Sequence, residues 1–155
     1  MRRYVVLIAI LAFACSTIPH EQAVPMRGRL ELSVEPNPIV AHPLGGDLYQ
    51  LDFDIVMREA GGVAVRIQDF TVDAVAFRTV VVRSQTYPAT YITDRGYPAS
   101  IDAGKYLRFT FSKRWTLPAA FLYSGASARV DARTIDDNGV RGTSSVRVGV
   151  VVAGK

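Results

Sequence analysis

Tyr49-Gln50-Leu51-Asp52-Phe53-Asp54-Ile55-Val56-Met57 alternates apolar and polar side chains almost without a break. Successive side chains of a β-strand point to opposite faces. Read at period two, the stretch has a dry face of Tyr49, Leu51, Phe53, Ile55 and Met57 and a wet face of Gln50, Asp52 and Asp54. Wound into a helix, the same residues would mix both classes on every side.

The period recurs to either side. Leu30, Leu32 and Val34 alternate with Glu31, Ser33 and Glu35 until Pro36-Asn37-Pro38 ends the run. Gly61-Gly62 predicts a turn, and Val63, Val65 and Ile67 follow it. Phe70 and Val72 then carry the opposite parity, which predicts a bulge or corner near Gln68-Asp69, because one extra residue exchanges the two faces. Val80 and Val82 predict a further short strand. Later runs are Leu107, Phe109 and Phe111; Ala126, Ala128, Val130 and Ala132; and Val146, Val148, Val150 and Val152. Asp136-Asp137-Asn138-Gly139 between the last two predicts a tight hairpin, since Asn-Gly accepts the positive φ angles such a turn needs. Helical signal is confined to one short turn within residues 117–123. About seven strands joined by Gly, Pro and Asn turns predict an all-β, antiparallel sandwich. A small lipocalin-like barrel is the alternative architecture.

The stretch Val130-Asp-Ala-Arg-Thr-Ile-Asp-Asp-Asn-Gly139, followed by Ser144-Ser-Val-Arg-Val148 and preceded by a Leu117-Pro118 loop, resembles the F strand, F–G turn and G strand of bacterial Ig-like and fibronectin type III domains. The resemblance implies an Ig-like β-sandwich over residues 29–155.

Ahead of that domain stands Met1-Arg-Arg-Tyr-Val-Val-Leu-Ile-Ala-Ile-Leu-Ala-Phe-Ala-Cys15. Two arginines followed by a short apolar run form a secretory leader, too short for the ~20 residues of a membrane-spanning helix. Ala12-Phe13-Ala14-Cys15 resembles the lipobox of bacterial lipoproteins. That likeness implies cleavage after residue 14, a lipidated Cys15, and, with Ser16 next, sorting to the outer membrane, facing the periplasm. Ordinary cleavage near Ala14 to a soluble secreted protein is the alternative. Residues 15–28, carrying Pro19 and Pro25, read as an anchor and tether; fully extended, Ser16 to Gly28 spans at most roughly 45 Å.

Without Arg2 and Arg3 the chain keeps 16 basic against 14 acidic residues, a net charge of +2 that is scattered rather than clustered. This gives no footprint for nucleic acid. Cys15 is the only cysteine, so the domain is held without a disulfide. His20 falls in the tether and His42 in a Pro-rich loop, which leaves no catalytic residue, metal site or cofactor to assign. Asp52 and Asp54 share one strand face, where paired carboxylates can run acid–base chemistry or simply form the wet side of a sheet. Asp136, Asp137 and Asn138 offer oxygens to calcium but lack the spacing of an EF-hand loop, and read as a hairpin turn.

Residues 84–104 hold Tyr87, Tyr91, Arg95 and Tyr97 among prolines and glycine, and Trp115 follows a Lys113-Arg114 pair. Tyrosine, arginine and tryptophan give large contact area with a hydrogen-bonding tip, so these five are the candidate partner-binding residues. Tyr91 and Ile92 could alternatively lie in a short edge strand, with the other tyrosines covering the core. The expected function is a non-enzymatic binding or structural module, fixed to the cell envelope by lipid and contacting an envelope protein or glycan. A carboxylate-dependent glycan hydrolase and an accessory subunit docking by edge-strand pairing are the alternatives.

Overall fold

The structure, a computed structural model, describes residues 26–118 and 125–154. The leader, Cys15 and the tether up to Pro25 lie outside the described residues, as does most of the predicted turn after Leu117. The elements are β1 (Leu30–Glu35), β2 (Ile39–Gly45), β3 (Leu48–Glu59), β4 (Val65–Ala76), β5 (Val80–Pro88), α1 (Thr90–Thr93), β6 (Ser100–Ile101), β7 (Tyr106–Thr116), β8 (Ser127–Asp136) and β9 (Arg141–Val152).

They stack as two layers. In the first, β3 pairs antiparallel with β7 from Leu48↔Thr116 to Arg58↔Tyr106, and on its other side with β1 and then β2. In the second, the order is β5-β4-β8-β9, with the two-residue β6 continuing β5's side of β4. A parallel ladder from Ile39↔Val150 to Ala41↔Val152 ties β2 to β9 and joins the layers along one flank. This is an Ig-like sandwich. β1 and β2 form the divided first strand, β3 and β7 stand as B and E, and β4, β5, β8 and β9 as C, C′, F and G.

The expected strands are present, and the differences have local causes. Pro36 and Pro38 divide the first strand, because proline breaks a ladder, and the chain resumes pairing at Ile39. His42, expected in a loop, is therefore an exposed residue of β2. The parity change at Gln68-Asp69 is a β-bulge: Ile67 faces Thr134 and Asp69 faces Arg133, leaving Gln68 without an opposite number. Tyr91 and Ile92 sit in α1 and not in an edge strand, with Ile92 turned into the core.

The core follows the period-two reading. Phe53, Ile55 and Met57 of β3 and Phe109 and Phe111 of β7 are buried against Phe70, Val72, Val130 and Ala132 of the opposite layer. Each such side chain contributes roughly 1.5–3 kcal/mol on burial. Ala128 and Ala132 add small side chains to the same cluster.

Two buried carboxylates fix the end where the chain enters. Glu59, fully buried, accepts hydrogen bonds from the backbone N–H groups of Arg29 (3.2 Å), Gly61 (2.5 Å), Gly62 (3.0 Å) and Gly104 (2.9 Å). Burial alone would raise its pKa, but the four donors outweigh that and hold it at about 2. Asp136 accepts from Gly28 N (2.9 Å), Asn138 N (3.0 Å) and Val140 N (2.8 Å). Those backbone donors, Gly28 first, lower its pKa. Gly61 must be glycine, because a Cβ there would collide with the Arg27 carbonyl oxygen.

Candidate binding site

The flank opposite the β2–β9 ladder is open, since β5 and β7 are the outer strands of their layers. Cross-strand register sets what faces inward there. Phe70 lies opposite Tyr87, Val72 opposite Gln85 and Ala74 opposite Arg83, so Arg83, Gln85 and Tyr87 share the inner face of β5. On β7 the same alternation points Phe109, Phe111, Lys113 and Trp115 inward. Arg114 turns to the wet face, where its Nε donates to Gln50 Oε1 at 3.4 Å.

Aromatic rings fill the gap and cations lie over them. Tyr87 stacks on Phe70 at 5.0 Å between centroids and meets Tyr91 at 4.5 Å. Arg83 Cζ lies 5.5 Å from the Trp115 ring, and Lys113 Nζ is 5.7 Å from Tyr87 and 5.1 Å from Tyr91. The Arg95 guanidinium sits 3.6 Å over Tyr91 and donates to the Tyr91 carbonyl oxygen at 3.0 Å, both contacts local to α1 and its exit. Arg83, Arg95 and Lys113 form no salt bridge among the described residues. No acidic residue occurs in β7 or between Asp73 and Asp94. The flank is therefore cationic.

The Tyr87 and Tyr91 hydroxyls and the Trp115 indole N–H are buried without a hydrogen-bond partner among the described residues. Burial, then Tyr91, pushes the Tyr87 phenol up to about 12. Trp115 offsets part of that shift without reaching hydrogen-bond geometry. Buried polar atoms are nearly always satisfied, so three together mark this as a place where packing alone does not account for the residues.

Of the five residues singled out from sequence, the fold brings Tyr87, Tyr91, Arg95 and Trp115 together. Tyr97 packs beside them, edge-on to Phe109 at 5.2 Å. They line a flank between layers and do not form a loop at the sandwich end. Tyr87 (3 % exposed) and Trp115 (2 %) belong to the core, Tyr91 and Tyr97 are half-buried, and Arg95 is exposed. Arg83 was not legible as a site residue, although Arg83, Gln85 and Tyr87 hold one parity on a strand longer than Val80 and Val82 announced.

The carboxylate candidates sit elsewhere. Asp52 accepts from Ser112 Oγ (2.6 Å) and Gln50 Nε2 (2.7 Å) on the wet face of β3. Asp54 accepts from Arg108 Nη1 (2.9 Å) and Thr110 Oγ1 (2.9 Å), and the Arg108 contact leads in lowering its pKa. An acid held ionised by its neighbours suits a cross-strand ladder better than proton donation. The Asp136 oxygens serve the hairpin turn, where Gly139 has φ +80°, and Asn138 Nδ2 donates to the Met26 carbonyl oxygen at 3.2 Å.

No protein-family model matches the chain, and no curated protein matches it in sequence. Its structure is similar to that of a Bordetella pertussis protein assigned as ApaA, with TM-score 0.60, 12% identity, and coverage of 84% of this chain and 100% of that one. It is similar also to Northeast Structural Genomics Consortium target SoR45, with TM-score 0.57, 11% identity, and coverage of 82% and 88%. At these identities the likeness shows the fold alone.

Proposed function

We propose that the protein is a non-enzymatic binding module of the cell envelope, anchored through acyl chains on Cys15 to the outer membrane and facing the periplasm. The β5–β7 flank is its binding surface, and an envelope protein or glycan is its partner. The cluster of Arg83, Lys113 and Arg95 over Tyr87, Tyr91 and Trp115 carries this reading, because cations that form no salt bridge among the described residues, backed by buried aromatic rings, make a cationic contact surface. The anchor rests on the leader and lipobox resemblance: two or more acyl chains hold a protein stably on a bilayer where one does not.

Two measurements test it. Cys15→Ala should move the protein from the detergent-extracted membrane fraction to the soluble one; an unchanged distribution removes the anchor. A photo-reactive residue at Gln85 should capture a discrete partner in native membranes, while one at Gln50, on the opposite face of the first layer, should not. Equal capture from both positions removes the β5–β7 flank as the binding surface. An accessory subunit docking through a strand edge is the second reading, favoured by the exposure of β5 from Val80 onward.

A further inference from the structure

β5 pairs with β4 on one side, and no described strand meets its other side. Residues 80–86 are all exposed, beginning with Val80 (51 %), Val81 and Val82. Edge strands are ordinarily blunted by charge, proline or a bulge. Here Pro88 closes the far end, and a register shift between Ala74 and Val75 distorts the near end opposite Val81 and Arg83. Between these features lies a regular stretch, Arg83↔Ala74 to Tyr87↔Phe70, whose outer backbone groups pair with no strand among the described residues.

The turn leading into β5 is itself unusual. Thr79 N donates to the Ala76 carbonyl oxygen at 3.1 Å, and the two residues between, Phe77 (φ +49°) and Arg78 (φ +66°), both occupy the left-handed region. Hairpin turns of this kind select Asn-Gly, and a side chain there costs roughly 1–2 kcal/mol per residue. Phe77 is 64 % exposed, so packing does not offset that cost. Strain kept at an exposed tip is an observation from which a functional reading can start.

Charge names the occupant. Arg78, Arg83 and Lys113 border this edge, with Arg95 close by, and neither residues 74–93 nor β7 holds an acid. A strand laid beside β5 would direct alternate side chains onto the inner face, next to Arg83 and Gln85 and across from Lys113 and Trp115. The geometry points to β5 as an acceptor edge: an extended segment of another protein, with carboxylates at alternate positions, adds as a strand beside β5 and sends those carboxylates between Arg83 and Lys113. This rests on the reading of the β5–β7 flank as the binding surface.

The test is fluorescence anisotropy of the purified full chain with a short labelled peptide alternating glutamate and valine, beside a lysine-for-glutamate version and one N-methylated at alternate backbone amides. The glutamate peptide should bind, and the other two should not. Arg83→Glu with Lys113→Glu should weaken binding by about tenfold or more, with melting curves confirming the fold. Ser84→Pro, which leaves every cation in place but removes a backbone donor from β5, should weaken it too. Binding that survives N-methylation and Ser84→Pro overturns strand addition and leaves the flank as a binding surface. No binding of the glutamate peptide, or equal binding of the lysine peptide, overturns the acidic segment, even if cross-linking from Gln85 still captures a partner. A dimer by sedimentation, abolished by Ser84→Pro, overturns it in favour of a second copy.

Discussion

Gly28 and Asp136 lie 108 positions apart and are joined by a 2.9 Å hydrogen bond, from the glycine N–H to Oδ2 of the aspartate. With Arg29 N donating to Glu59, this bond ties the chain's entry into the domain to the β3–β4 turn and the β8–β9 hairpin. A domain with no disulfide is clamped there by carboxylates.

The clamp predicts an acid dependence. Glu59 titrates at about 2 in the folded protein against an ordinary 4.5, so its stabilisation is complete above the unfolded value and is lost as pH falls from about 4.5 towards 2. The contribution is on the order of 3 kcal/mol. Wild type should lose melting temperature steeply over that window. Glu59→Gln should be less stable at neutral pH and should change less across it, because an amide cannot satisfy the same donors. Parallel slopes would show that other groups govern the acid response.

Backbone conformation predicts two glycine effects of different size. Gly139→Val should cost about 1–2 kcal/mol through its positive φ. Gly61→Ala should cost more, because its Cβ meets the Arg27 carbonyl oxygen and disturbs the donors to Glu59. Urea denaturation midpoints rank them, and equal midpoints would contradict the close packing at Gly61.

Replacing Phe77-Arg78 with Asn-Gly should stabilise the protein by about 1–2 kcal/mol or more, since that pair accepts the turn without strain. A lower melting temperature would mean that the Phe77 or Arg78 side chain matters more than the φ angles.

Tyr87→Phe removes a buried hydroxyl that has no hydrogen-bond partner, so stability should hold or rise by about 1 kcal/mol. The substitution keeps the ring and its stacking on Phe70, so the hydroxyl alone is tested. A loss of about 1 kcal/mol or more in thermal unfolding would reveal a partner for the hydroxyl in solution.

Period two was sufficient to locate β3, β7, β8 and β9, because in each a buried face alternates with a wet one over many residues. It failed at β2, where Pro43 and Gly45 mask a strand that is held by partners on both sides. It failed again in α1, whose four residues are too few to show a helical period and whose position comes from Ile92 and Tyr91 packing inward. Glu59 drew no reading in the sequence, although an acid two residues before Gly61-Gly62 is a signal that the turn's N–H groups have an acceptor. The aromatic and cationic residues of the flank were visible as types. Their convergence was not, because it depends on which strands end up outermost in each layer.

The sandwich is bound along one margin like a book, with the β2–β9 ladder as its spine and β5 and β7 as its fore-edge. Any parting of the leaves begins at the fore-edge, where among the described residues no backbone ladder joins the two sides, and amide hydrogens there should exchange before those along the spine. A guest arriving at that margin can slip between the leaves without unstitching a single rung of backbone.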